Sequence, residues 1–162
     1  MNLEIHTVCF TGHREIPRSH AFALPRVLER ELITLIERGA TVFRAGGAMG
    51  FDTLAALKVL ELREAYPQIE LELILPCRNQ TERWPQAEVR TYEYVLKNAD
   101  RCEFLYPHYI DGCMLERNRR LVKDSDVCVA YCCRNRGGTL YTVTHAIKQG
   151  LEVINLAEAL LD

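Results

Sequence analysis

No stretch of this sequence approaches the ~20 consecutive apolar residues that a membrane span needs, so a transmembrane protein is not expected. The opening residues, MNLEIHTVCF, contain neither a basic segment nor a long apolar one, which argues against a secretory leader and for the cytoplasm. No C-x-x-C pair occurs among the 7 cysteines, and their odd number speaks against a disulfide framework. Without paired ligand spacing no metal site is expected either. Cys9 and Cys128 sit in apolar runs, where cysteine behaves as a small buried hydrophobe. An excess of positive charge is also missing: 20 Lys and Arg face 22 Asp and Glu, for a net charge of −2. There is no global basic field to recruit nucleic acid, and Trp84 is the only tryptophan available for stacking on bases. Nucleic acid is therefore not the expected partner.

What is present suits an ordinary globular protein. With 162 residues, 48% hydrophobic and 26% charged, the chain can bury one core, and a single domain over residues 1–162 is expected. Neither a linker nor an internal repeat interrupts it, and homo-oligomer formation is left open. Short apolar runs alternate with segments of helical period, the pattern of a parallel sheet with crossover helices. The runs are residues 7–10, 41–43, 71–75, 102–105, 127–131 and 153–155. Between them, Leu24, Leu28, Leu32 and Ile36 recur at fourfold spacing, which puts them on one helix face. Further helices are expected over 51–65, 81–98, 114–123 and 140–148. The fold class is α/β: a Rossmann-like three-layer sandwich with a mainly parallel central sheet.

In such sheets ligands bind beyond the carboxyl ends of the strands. Three connections at those ends are rich in glycine or hydroxyl groups: Thr11-Gly12-His13-Arg14, the loop of Gly46, Gly47 and Gly50, and Arg136-Gly137-Gly138-Thr139. Glycine lets a backbone approach an anion, and a helix beginning after such a loop offers free N–H groups and a positive dipole end. A phosphate cradle is expected there. Arg14 either makes a bidentate contact with phosphate or is a surface arginine of its loop. His13 either donates to the ligand or packs. Asp52, in the first turn of its helix, either serves the dipole alone or, since a carboxylate would repel a phosphate, meets a ribose hydroxyl or a bridging arginine. Thr139 suits both a cap and a phosphate donor. Gln80 and Trp84 are expected on the same rim, Trp84 as a stacking wall or as a packing residue. A basic cluster of Arg117, Arg119, Arg120, Lys123, Arg134 and Arg136 flanks the late glycine pair.

These motifs resemble the SLOG superfamily, which joins the DNA-processing protein A fold to the cytokinin-activating LOG enzymes. Thr11 to Arg14, Gly46 to Asp52, and Pro76 with Gln80 and Trp84 are similar to its YpsA-type branch. The run from Met114 through Ser125-Asp126 to Thr139 is similar to the second half of a LOG signature. The resemblance implies a Rossmann-like fold and a pocket for a nucleotide-derived ligand, with no other cofactor required. LOG enzymes hydrolyse the glycosidic bond of nucleoside monophosphates with an arginine and a glutamate. Arg117 matches the arginine. The glutamate position is Thr142, which has no carboxylate, and Glu116 is the one nearby substitute. The resemblance therefore implies a ligand-binding sensor first, a glycosidic hydrolase second, and single-stranded DNA binding third.

Overall fold

The computed structural model describes residues 4–160. Met1–Leu3 and the last two positions, included in the expected single domain and, at the amino end, in the argument against a leader, lie outside the described residues. Six strands form the sheet: β1 (Thr7–Gly12), β2 (Val42–Ala45), β3 (Glu70–Cys77), β4 (Arg101–Tyr106), β5 (Val127–Tyr131) and β6 (Glu152–Asn155). All pairings are parallel, in the order β4-β3-β2-β1-β5-β6. The helices are α1 (Arg18–Ala21), α2 (Leu24–Glu37), α3 (Phe51–Leu62), α4 (Gln86–Asn98), α5 (Cys113–Val122) and α6 (Gly138–Lys148). A 3-10 turn, Leu156–Leu160, follows β6.

Alternation along the central strands divides the core into two layers, because successive side chains leave opposite faces of a strand. Val8 and Phe10 of β1 and Val127, Val129 and Tyr131 of β5 join the α2 and α3 residues Leu28, Leu32, Phe51 and Val59. Cys9, Cys128 and Ala130 face the other way, onto Leu121 and Val122 of α5 and Ala146 of α6. This is the expected three-layer α/β sandwich, and α2 buries Leu24, Leu28, Leu32 and Ile36 as the periodicity requires. No helix is long and apolar enough to cross a membrane among the described residues.

Several boundaries differ: β1 runs on to Gly12, α3 stops at Leu62 and α6 begins at Gly138. The helix expected from residue 81 begins at Gln86, because residues 79–84 turn and Pro85 precedes the helix without an N–H to continue it backwards. Strand β3 continues through Pro76, and its register with β4 joins Leu75 to Phe104 and Cys77 to Tyr106.

From β1 the chain steps outward through β2 and β3 to β4, then crosses back to place β5 on the other side of β1. The connections after β1 and β5 therefore diverge, and a crevice opens beyond their carboxyl ends. That crevice is where the candidate site lies.

Candidate functional site

A cavity of about 400 Å³ occupies the crevice. The end of β1 and its connection supply Thr11, Gly12, His13, Arg14 and Glu15; Ala48 and Asp52 come from the start of α3. Helix α5 contributes Met114, Leu115, Arg117 and Asn118, the β5–α6 connection Arg134, Arg136 and Gly137, and the first turn of α6 Gly138 and Thr139. Two of the three expected connections thus meet in one place, and half of the basic cluster enters it. Two of the others are turned elsewhere: Arg119 donates to the Tyr141 hydroxyl at 3.1 Å, and Arg120 pairs with Glu103 at 3.0 Å.

The glycines divide by role. Gly137 and Gly138 stand open at the start of α6, with no crowding neighbour. Gly12 is held against Phe51, whose Cβ lies 2.5 Å from where a side chain would begin. Gly50, with φ +81°, crosses the Arg14 backbone, whose Cα lies 2.6 Å from the same point. Gly46 and Gly47 are absent from the cavity wall. Gly46 lies under the Arg117 guanidinium and Gly47 against Leu75 and Gln80. The glycines of the early loops therefore let chain segments pass close to one another. The exposed pair at α6 is the one free to approach an anion.

Arg117 is buried at the cavity floor. Its Nη1 donates to the Gly46 carbonyl and its Nε to Asn118 Oδ1 at 2.8 Å, while Nη2 reaches only the Met114 sulfur, at 3.9 Å. Asp52 shares the floor, buried to 5% exposure, and one carboxylate oxygen accepts the Ala48 N–H at 3.2 Å. Burial pushes the Asp52 carboxyl above its ordinary value, opposed by Arg117, the Ala48 bond and Arg14. Burial likewise pulls the Arg117 guanidinium down, and Asp52 opposes it. Each charge makes the burial of the other tolerable.

His13 is committed to the protein. Its Nε2 accepts the Cys133 N–H at 3.0 Å, which leaves Nδ1 to carry the proton of the neutral ring. Burial, then Arg134, lowers its pKa from the usual value. Its ring meets Tyr131 edge-on, with centroids 5.6 Å apart. The Tyr131 phenol contacts His20 Nδ1 at 2.6 Å, and burial raises its pKa to about 12.

The carboxylate candidates fare differently from Asp52. Glu116 does not line the cavity, and both its oxygens accept the Tyr106 hydroxyl, at 2.8 and 3.0 Å. Thr142, at the position of the LOG glutamate, is buried and donates its hydroxyl back to the Gly138 carbonyl at 2.9 Å. Trp84 and Gln80 line a neighbouring cavity of about 540 Å³, with Asn79, Arg83 and Tyr109, and it meets the first at Arg14 and Met114. Trp84 packs edge-on against Tyr92 at 5.5 Å, and Gln80 Nε2 donates to the Gly47 carbonyl at 3.3 Å. Met114 and Asn118 went unrecognised in the sequence, yet they stand three residues before and one after Arg117 on the same helix. Their i, i+3, i+4 spacing with the arginine was the available signal. Among the described residues no group of three His, Cys, Asp or Glu could hold a metal ion.

A UPF0398 protein of Brevibacillus brevis is 28% identical over 129 residues, covering 78% of this chain and 69% of its own. A UPF0398 protein of Bacillus pumilus is 30% identical over 122 residues, 74% of this chain and 66% of its own. DNA processing protein A from Streptococcus pneumoniae superposes with a TM-score of 0.68 at 20% identity, covering 92% of this chain and 49% of that one. The Helicobacter pylori DNA processing protein A gives 0.63 at 23%, covering 93% and 64%. This chain spans about half of the pneumococcal protein, and at these identities the likeness is one of fold. Residues 11–158, which include all the connections that build the cavity, match the family described as the YspA SLOG family, and the chain belongs to that YpsA-type family.

Proposed function

We propose that the cavity binds a phosphate-bearing, nucleotide-derived ligand, an ADP-ribose-like or NAD-like molecule or a nucleoside phosphate, and that the chain acts as a sensor or regulatory domain. One observation carries this reading: α6 begins on the cavity wall, with Arg134 and Arg136 in the connection before it and Arg14 and Arg117 on the other walls. The free N–H groups and dipole of a helix start favour an anion, and guanidinium groups add charge-assisted donors. Thermal unfolding with inorganic phosphate, nucleoside mono- and diphosphates and ADP-ribose tests it. A ligand present at a hundredfold over its Kd should add about 2.7 kcal/mol of stability. Arg136→Ala should weaken that gain, and a flat response to every compound would overturn the proposal.

Catalysis of glycosidic hydrolysis needs a positioned carboxylate. Thr142 supplies none, Glu116 is engaged with Tyr106 away from the cavity, and the carboxylates that do line it, Glu15 and Asp52, do not stand at the LOG glutamate position. Incubation with AMP should therefore release free base at the rate of the buffer control. Turnover that disappears in Glu116→Ala would show that the helix rearranges to deliver that group.

Single-stranded DNA is the second reading. It is favoured by the cavity of Trp84 and Tyr109 beside the arginines, since single strands bind basic grooves flanked by stacking rings. The Helicobacter pylori protein of similar fold is described as having a single-stranded DNA binding mode. Under this reading oligothymidylate, and no mononucleotide, quenches the Trp84 emission, with an affinity that falls steeply with salt.

A further inference from the structure

Resting on the nucleotide reading, we propose that Asp52 and Arg117 form a sugar-reading pair, which accepts the vicinal diol of a ribose and selects ribonucleotides over 2′-deoxyribonucleotides. Both side chains are about 5% exposed and both line the cavity. The Ala48 N–H is the one described bond to the Asp52 carboxylate, and it takes one oxygen. The other oxygen has no partner among the described residues, although the group is buried and borders the cavity. On Arg117, Nε and Nη1 are used within the protein, while Nη2 meets only a thioether sulfur, a weak acceptor. The floor thus presents one unfilled charged acceptor beside one poorly used charged donor.

The chemistry of the occupant follows from this pairing. A phosphate satisfies the guanidinium but is repelled by the carboxylate. A base edge with an amino group beside a ring nitrogen pairs with both, but it would give a preference among bases and none between sugars. A hydroxyl does both, donating to Asp52 and accepting from Arg117, and a vicinal diol offers two such groups side by side. The phosphate donors lie on another wall, at Arg134, Arg136 and the start of α6, which leaves the floor for the sugar. Neither charge has an ion-pair contact to fall back on among the described residues. A sugar lacking one hydroxyl therefore leaves a buried charged group unpaired, the situation in which polar sites discriminate most strongly.

Titration calorimetry with the four ribonucleoside 5′-monophosphates and their 2′-deoxy counterparts tests the pair. The wild-type protein should bind the ribo series about tenfold or more tightly, the effect of one missing hydrogen bond to a charged group. Asp52→Asn should bring the two series within a few-fold of each other. Equal affinity for both sugars in the wild type, or an undiminished preference in Asp52→Asn, overturns the sugar-reading pair while leaving nucleotide binding in place. Absence of binding in both series overturns the pair, and overturns the nucleotide reading as well where ADP-ribose also fails to stabilise the protein. The wild-type comparison decides the matter even where the variant does not fold.

Discussion

Gly50→Ala should destabilise the protein by about 3 kcal/mol or more, the sum of backbone strain and a core clash. The residue has φ +81°, where a side chain is strained, and its neighbour is the backbone of Arg14 rather than a flexible side-chain tip. Backbone cannot rotate away, so the connection after β1 and the start of α3 would have to part. That would stretch the Phe51 N–H bond to the His13 carbonyl, now 3.1 Å, and pull at the cavity wall. Gly137→Ala is the matched control: φ is +98° there, but nothing lies within 4 Å. It should cost only the strain, about 1 kcal/mol. Urea unfolding of the two variants measures the difference, and equal losses would mean that the crossing at Gly50 is pliable.

Arg117→Met removes the positive charge that opposes the cost of burying Asp52 and strips the Gly46 carbonyl of its donor, and should cost about 1–3 kcal/mol at neutral pH. The loss should depend on pH in a defined direction. Burial raises the Asp52 pKa above its ordinary 3.8, so the folded state holds that proton more tightly than the unfolded chain. The stability cost of the ionised group is thus borne at high pH and relieved as pH falls through the folded pKa. Without Arg117 the folded pKa climbs further, and the cost at neutral pH grows. The deficit of Arg117→Met should be largest near neutrality and shrink as pH falls through the raised folded pKa of Asp52, and Asp52→Asn in the same chain should recover part of it. A deficit that stays constant across that range would assign the damage to lost packing instead of charge.

The elements of this fold were legible because its central strands β1 and β5 are buried on both faces and its helices carry plain periodicity. Val127–Tyr131 is wholly buried and reads as an unbroken apolar run. The four-residue helix Arg18–Ala21 was invisible, since one turn has no period to detect and buries no side chain. The site was legible by address and only partly by role. Arg14, Asp52, Arg117 and the Gly137–Thr139 connection do converge on one cavity. The early glycines could not be assigned from spacing, because close approach to Phe51 or to the Arg14 backbone leaves the same signature as close approach to an anion. Nor could the sequence divide the basic cluster, since the partners that draw Arg119 and Arg120 away, Tyr141 and Glu103, are distant along the chain. Trp84 fell between its two readings: it packs on Tyr92, yet it lines a cavity that adjoins the arginines.

The pairing of β1 with β5 bears on how the protein is made. Val8 lies opposite Val127, and Thr7 and His6 donate their N–H groups to Asp126 at 2.9 Å, so the middle of the sheet joins segments some 119 residues apart. During synthesis β1 to β4 leave the ribosome with one flank of β1 bare, and such long-range parallel pairings close slowly. The cavity walls from α5 and from Arg134 to Thr139 emerge still later. A ligand therefore has no assembled site to grip until most of the chain is made, and cannot chaperone the early steps. The stabilisation expected of the proposed ligand would belong to the finished protein, where it would guard β5 and α6 against coming away from β1.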